Sequence, residues 1–467
     1  MRRRTKRRLP AIALCASALL ALSSYYWVAQ PALPTADYPA PHSLVEAREQ
    51  DLDYLCRTMQ LDRSFSVRGR AAFLADVAGL KARAATLSAG EFELGIAHAV
   101  AHADNGHTNV LGVGVGRGVP ALPLRFAWFE EGLFIIRAAP AFKCTLGARV
   151  AAIAGYSPEA LLPILRPYVG GSNTLAKLLS VNFLVSPAVL HALGVAADPG
   201  RVHVDLADSS CERQEMVIEA SVPSATPLKA EHWPVRDLSP VEEPGDETGW
   251  LHVLWQQRDR LPLYLQKPDD PYWSTPVGEH ALYIRIGIIR DRGDLRIEKL
   301  ARQTLEPLSP SRRRFVVVDL RASPGGNADL LFDLTKRLPG MLPHDGRVFV
   351  LVGPDTFSAA IITAARLKYF GGTKTLLVGE DMADGGHFWA EGGAAVLPNS
   401  RIVVRYARSL DDWSNGCSLA QIRVCHWLQY FYGVAAGDLT PNIRVPETFA
   451  AYRERGDPAM DTVEALW

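Results

Sequence analysis

Apolar positions recur at helical spacing from about Ser43 to Ala103, with Leu52, Leu55, Cys56 and Met59 in one run and Phe73, Leu74, Val77 and Leu80 in the next. That spacing predicts a small helical domain. From about Leu122 to Gly155 the pattern shortens to alternation. Glu130-Glu131-Gly132 reads as a hairpin turn and residues 149–153 as a buried strand. The stretch to about Ala220 mixes helix with a strand pair near 202–206 and 215–218. From Leu282 onward, apolar runs at 282–288, 315–320, 347–352 and 374–378 alternate with helical runs near 294–307, 328–338 and 358–369. Alternation of this kind predicts an α/β layer with right-handed crossovers.

Between these regions, residues 221–280 hold nine of the 32 prolines together with Trp233, Trp250, Trp255 and Trp273. Four large aromatics argue for an ordered linker that wraps over other surfaces rather than a floppy tether. The expected organisation is therefore a leader and Pro-rich spacer over 1–40, a helical domain over 41–115, a β-rich domain over 116–220, the linker over 221–280, and an α/β core over 281–467.

Composition narrows the function classes. With 467 residues and 48% hydrophobic content the chain is long enough for two or three domains with real cores. Lys and Arg (50) balance Asp and Glu (50), which gives no reason to expect a nucleic-acid partner. The balance hides an asymmetry: Arg2, Arg3, Arg4, Lys6, Arg7 and Arg8 precede an apolar stretch from about Leu9 to Val28. This is the pattern of an export signal or an uncleaved N-terminal membrane anchor. Without those six charges the net is −6. The body is expected to work outside the cytoplasm, periplasmic, secreted or membrane-anchored.

Cys15 lies at the start of the apolar run and does not read as a lipid-attachment site. The other cysteines show no C-x-x-C pair and no zinc-ligand spacing, so no metal is expected. Cys417 and Cys425 are close enough to staple one loop in an oxidising compartment, with two buried thiols as the alternative.

Two loops leave the C-terminal ends of expected buried strands, where open α/β sheets place their ligands. In the first, residues 319–327, Pro324 is followed by Gly325 and Gly326, which let backbone N–H groups approach a ligand as an oxyanion hole requires. The second, residues 353–360, places Ser358 at the start of a helix of small and apolar residues. There Ser358 is either a simple N-cap or a nucleophile whose neighbour Ala359 offers a free amide. The G-x-S-x-G elbow of α/β-hydrolases is absent.

The order Asp319-Leu320-Arg321, Pro324-Gly325-Gly326, then Thr356-Phe357-Ser358-Ala359-Ala360, then Leu377-Val378-Gly379-Glu380 resembles the S41 family of serine peptidases, which includes the tail-specific processing proteases and the tricorn core protease. Asp104-Asn105-Gly106-His107-Thr108 is similar to an element of the tricorn-like branch. Leu122-Pro123-Leu124 through Gly147-Ala148-Arg149-Val150 is similar to the family's PDZ-like segment, and Leu397-Pro398-Asn399-Ser400 and Pro441-Asn442-Ile443 to later landmarks. The resemblance covers roughly residues 45–460. It implies a ClpP/crotonase-like α/β core with an N-terminal helical domain and a PDZ-like domain.

By the same resemblance Ser358 is the nucleophile, with an oxyanion hole from the amide of Ala359 and one of Gly325 or Gly326. The tail-specific branch uses a lysine about 25 residues after the serine. Residues 379–387 contain none, and Lys368 and Lys374 read as solvated. The tricorn-like branch uses an early histidine, which implies His107 as base, with His387 as the runner-up. The acid orienting His107 is open among Asp104, Asp384, Glu391 and Asp438. The expected function is an exported serine peptidase without a cofactor, acting on peptides or unfolded proteins. The alternative is a non-catalytic binding protein of the same fold.

Overall fold

The computed structural model describes residues 32–115, 119–221, 237–241, 249–308 and 313–467, together with Ser17. The rest of the basic leader, Cys15 and Trp233 lie outside the described residues. Among the described residues no helix is long and apolar enough to cross a membrane.

The chain opens with three helices, α1 (Leu44–Met59), α2 (Val67–Ala82) and α3 (Ala89–Ala101), each entered through a serine whose hydroxyl accepts a first-turn amide: Ser43, Ser66 and Ser88. At Ser88 the cap is reciprocal, with Glu91 reaching back to the serine amide. A two-residue strand β1 (Val110–Leu111) follows. An antiparallel sheet is then built from β2 (Leu124–Phe129), β3 (Gly132–Ala138), β4 (Arg149–Ile153), β5 (Arg201–Ala207) and β6 (Glu215–Glu219), with β7 (Leu251–His252) added to β3. Helices α4 (Pro158–Leu165), α5 (Asn173–Leu184) and α6 (Pro187–Ala192) connect β4 to β5. Helices α1–α3 and this sheet share one continuous apolar core.

The second core surrounds a six-stranded sheet with β8 (Tyr272–Val277), β9 (Ala281–Ile286), β10 (Phe315–Asp319), β11 (Arg347–Val352) and β12 (Thr375–Gly379) side by side. Strands β9 to β12 are parallel, and β8 runs antiparallel at the edge. Helices α7 (Ile297–Leu305), α8 (Phe332–Met341) and α9 (Ala359–Gly371) join them and pack on one face, against Val316, Val318, Val348 and Val350. The other face buries Tyr283, Val317, Phe349 and Leu351 against Met460 and Val463 of the C-terminal helix. Because both faces are covered, these strands read as continuous apolar runs instead of alternating ones.

The end of the segment expected to be linker is in fact strand β8. Its Pro276 is tolerated because β8 is an edge strand.

Of the later strands, β14 (Gly393–Val396) and β15 (Val403–Tyr406) fold back onto the helical part, β13 (His387–Ala390) pairs with β16 (Ser409–Asp412) and buries Phe388 and Ala390 in the second core, and β17 (Ile443–Arg444) completes the large sheet beside β12. Strand β1 pairs with β15, and that pairing carries an early loop onto the late part of the chain.

Cys417 is joined to Cys425, and Cys144 to Cys211. The second pair, 67 residues apart, carries no spacing signal in the sequence. A loop of that length is worth about 4 kcal/mol by chain entropy. Peptide mapping without reduction is expected to recover both linked pairs, and reduction to lower the unfolding temperature. Free thiols at all four positions would contradict this.

Candidate active site

Strands β10 and β11 are parallel neighbours, with Asp319 opposite Leu351. The loops that follow them therefore emerge side by side at one end of the sheet. They are stitched together by the Phe357 amide on the Ser323 carbonyl (3.1 Å) and the Thr356 hydroxyl on the Leu320 carbonyl (2.9 Å). The first loop is also tied to the end of β9: the Ile289 amide donates to Gly325 O (2.8 Å) and the Asn327 amide to Ile289 O (2.7 Å).

Ser358 sits where the second loop turns into α9, at φ 54°, ψ −122°. A non-glycine residue held there stores about 1–3 kcal/mol of strain. Its hydroxyl caps no amide of α9, so the simple N-cap reading does not hold. The strained turn presents the side chain instead of tucking it into the helix.

Around Ser358 the amides of Ala359, Gly325 and Gly326 donate to no backbone carbonyl among the described residues. A Cβ on Gly325 would fall 2.7 Å from the Ser358 Cβ and 2.8 Å from the Ala359 nitrogen, at φ +102°. Only glycine fits there, and its backbone therefore lies against the serine. Gly325→Ala is expected to push Ser358 out of place. Peptide cleavage should fall by at least the about 10²-fold that loss of one oxyanion donor costs, with lower thermal stability. Wild-type turnover in this variant would contradict the packing. Gly326 is closed in the same way by the Ile289 carbonyl, 2.2 Å from where its Cβ would stand.

Ser358 opens onto a cleft of about 520 Å³ whose walls include Asn109, Tyr168, Ile289, Pro324 and Arg405.

His107 lies in the loop between α3 and β1. The loop is fixed by Asn109 Nδ2 on the Gly106 carbonyl (2.7 Å), by Thr108 Oγ1 on Asp62 Oδ2 (2.6 Å), and by the Trp389 amide on Asn105 Oδ1 (3.1 Å). Its imidazole is 3% exposed. It is stacked between Phe357 (4.3 Å, 21°) and Phe388 (5.0 Å, 14°), so it rests against the residue that precedes Ser358. Both ring nitrogens lack a hydrogen-bond partner among the described residues. Burial, with the Arg405 charge adding to it, holds its pKa well below 6.5, so the ring is neutral. No hydrogen bond joins it to Ser358 or to a carboxylate.

Of the four acids expected to orient it, Asp384 packs against the His107 loop: its Oδ2 is 3.1 Å from where a Gly106 Cβ would stand, and burial pushes its pKa up to about 6. Asp104 has an 80% exposed side chain near Arg166 (3.6 Å). Glu391 faces His426 (4.0 Å), and exposed Asp438 accepts from Thr440. His387 is half exposed and bonded to Asp412 (3.2 Å). Lys368 donates to the Asp438 carbonyl, and Lys374 to the carbonyls of Leu342 and Pro343.

Sequence reasoning missed Arg405 and the Phe357–Phe388 sandwich. Phe357 lay inside a recognised motif, but Phe388 and Arg405 sit on short strands without motif or periodicity.

No family model and no curated protein matches the sequence. In structure the chain is similar to mature CPAF complexed with lactacystin, at a TM-score of 0.53 and 14% identity, over 91% of this chain and 98% of that one. It is similar to a CPAF mutant at 0.54 and 12% identity, over 91% of this chain and 96% of that one. The tricorn protease aligns more loosely, at a TM-score of 0.37 and 12% identity, over 92% of this chain and 37% of its own. The likeness to CPAF over nine-tenths of both chains is one of fold.

Proposed function

We propose that this chain is an exported serine peptidase. Ser358 attacks a peptide carbonyl, and the developing oxyanion accepts hydrogen bonds from the Ala359 amide and from Gly325 or Gly326. His107 takes the serine proton as a neutral base, with Asp384 as the acid that orients it. The reading includes a ClpP/crotonase-like core, a PDZ-like domain over 116–220, and a leader that carries the body out of the cytoplasm. One observation carries it: a strained, uncapped serine on the wall of an open cleft, next to Gly325 and Ala359, whose amides donate to no backbone carbonyl among the described residues.

Preorganised amides act on charge as it develops and need no reorganisation, and they supply the largest single part of acyl-transfer catalysis. The unpaired imidazole must come within hydrogen-bond reach of Ser358 before the proton can pass. Catalytic hydrogen bonds that are open in a free enzyme commonly tighten when substrate binds. The same unpaired imidazole favours the second reading, a binding protein of this fold that holds peptides without cutting them.

Incubation with an unfolded protein separates the two. The peptidase reading expects fragments with the wild-type chain and none with Ser358→Ala. Retention of intact substrate by both proteins would favour the binding reading.

A further inference from the structure

A cluster outside the cleft combines three metal-ligating groups on the two helices α2 and α3. His98 and His102 stand four residues apart, on one face at the end of α3, with their rings edge-on at 75° and 4.9 Å between centroids. From α2, Asp76 reaches across. Its Oδ2 lies 2.6 Å from His98 Nδ1 and 2.8 Å from His102 Nε2. One carboxylate oxygen thus takes two imidazole nitrogens, and all three atoms lie within 4.8 Å of one another. The helix pair is held at close range, since a Cβ on Gly95 would stand 2.3 Å from Leu80. The three side chains are 29–39% exposed, and Asp76 and His98 line a cavity of about 320 Å³ that also holds Arg83 and Glu91. An ion can therefore enter.

We propose that Asp76, His98 and His102 form a binding site for a divalent transition-metal ion of the Zn²⁺ class. Two imidazoles and one carboxylate, with an open fourth position toward the cavity, suit a tetrahedral N/O ion with bonds near 2.0–2.2 Å. Hard Mg²⁺ prefers an octahedral shell of oxygens. Bonds of about 2.0–2.2 Å in a tetrahedral shell place ligand atoms roughly 3.3–3.6 Å apart, so the two contacts to Asp76 would open by about 0.5–1 Å to admit such an ion. Each imidazole binds as the neutral tautomer, its proton moved to the other nitrogen, and Asp76 binds as the carboxylate. The ion would bridge α2 to α3 behind Tyr168, whose ring packs on His98 (5.6 Å) and also lines the Ser358 cleft.

The test uses the full chain after chelator treatment, titrated with ZnCl₂ by calorimetry and followed by thermal unfolding. One Zn²⁺ per chain and a raised unfolding temperature are expected, with no response to MgCl₂. His102→Ala and Asp76→Asn should each weaken binding by at least the about 10–100-fold that loss of an outer-shell partner costs. His426→Ala, in the separate Glu391–Asp411–His426 cluster, should leave it unchanged. Co²⁺ supplies a readout that does not depend on the variants' stability: the wild type should give the intense visible bands of a four-coordinate site. No Zn²⁺ binding, equal binding by the Asp76 and His102 variants, or a Co²⁺ spectrum of the free aqua ion would overturn the proposal.

Discussion

Ser358→Ala is expected to abolish peptide cleavage, by about 10⁶-fold if it loses as much as other serine peptidases stripped of their nucleophile, while the protein stays folded. The hydroxyl makes no capping bond, so its removal breaks nothing in the native state. Alanine inherits the same positive φ and the same strain. Ser358→Gly separates strain from chemistry. It loses the nucleophile equally, but glycine adopts φ 54° freely. Relief of about 1–3 kcal/mol of strain should then outweigh the about 0.5–1 kcal/mol of extra chain entropy that glycine costs. Measured together, turnover and denaturant midpoints should show an inactive variant at least as stable as the wild type. An inactive Ser358→Gly that is markedly less stable would mean that the strain at this turn serves packing and not chemistry.

The second large effect concerns the base. His107→Ala should lower kcat by at least about 10²-fold, the lower end for loss of a general base. The pH dependence carries more information. A base must be neutral to accept the Ser358 proton, and both causes named for His107, burial first and the Arg405 charge second, favour the neutral ring. The acid limb of kcat should therefore lie below pH 6.5, the ordinary imidazole position. Arg405→Gln removes the positive neighbour, so the His107 pKa rises and the limb moves toward neutral pH. A wild-type limb at or above about 6.5, or a limb unmoved in Arg405→Gln, would contradict the assignment. Near-normal cleavage by folded His107→Ala would shift the search to His387.

How much of this was legible in the sequence follows from how local each feature is. The parallel strands 281–286, 315–319, 347–352 and 375–379 were legible because burial on both faces makes them unbroken apolar runs. The helices before them were legible from 3.6-residue spacing. Strand 272–277 was hidden among prolines, since an edge position permits what a central strand forbids.

At the site, Ser358 and the two glycines stood out because a strand-to-helix turn with no room for a Cβ demands particular residue types. What surrounds His107 was not legible. Arg405 reaches it through the pairing of β1 with β15, nearly three hundred residues apart in sequence, and Phe388 comes from β13, whose Trp389 amide donates to Asn105 Oδ1. The same holds for Asp76, whose meeting with His98 and His102 depends on how two helices pack. The Cys144–Cys211 link is likewise fixed by folding alone.

The most direct measurement is covalent labelling of the folded chain by an organophosphonate serine probe, mapped by peptide mass spectrometry. One adduct is expected, on the peptide carrying Ser358, formed slowly in His107→Ala and not at all in Ser358→Ala. A well-folded wild-type chain that stays unlabelled at Ser358, or is labelled equally at other serines, would contradict a nucleophilic Ser358.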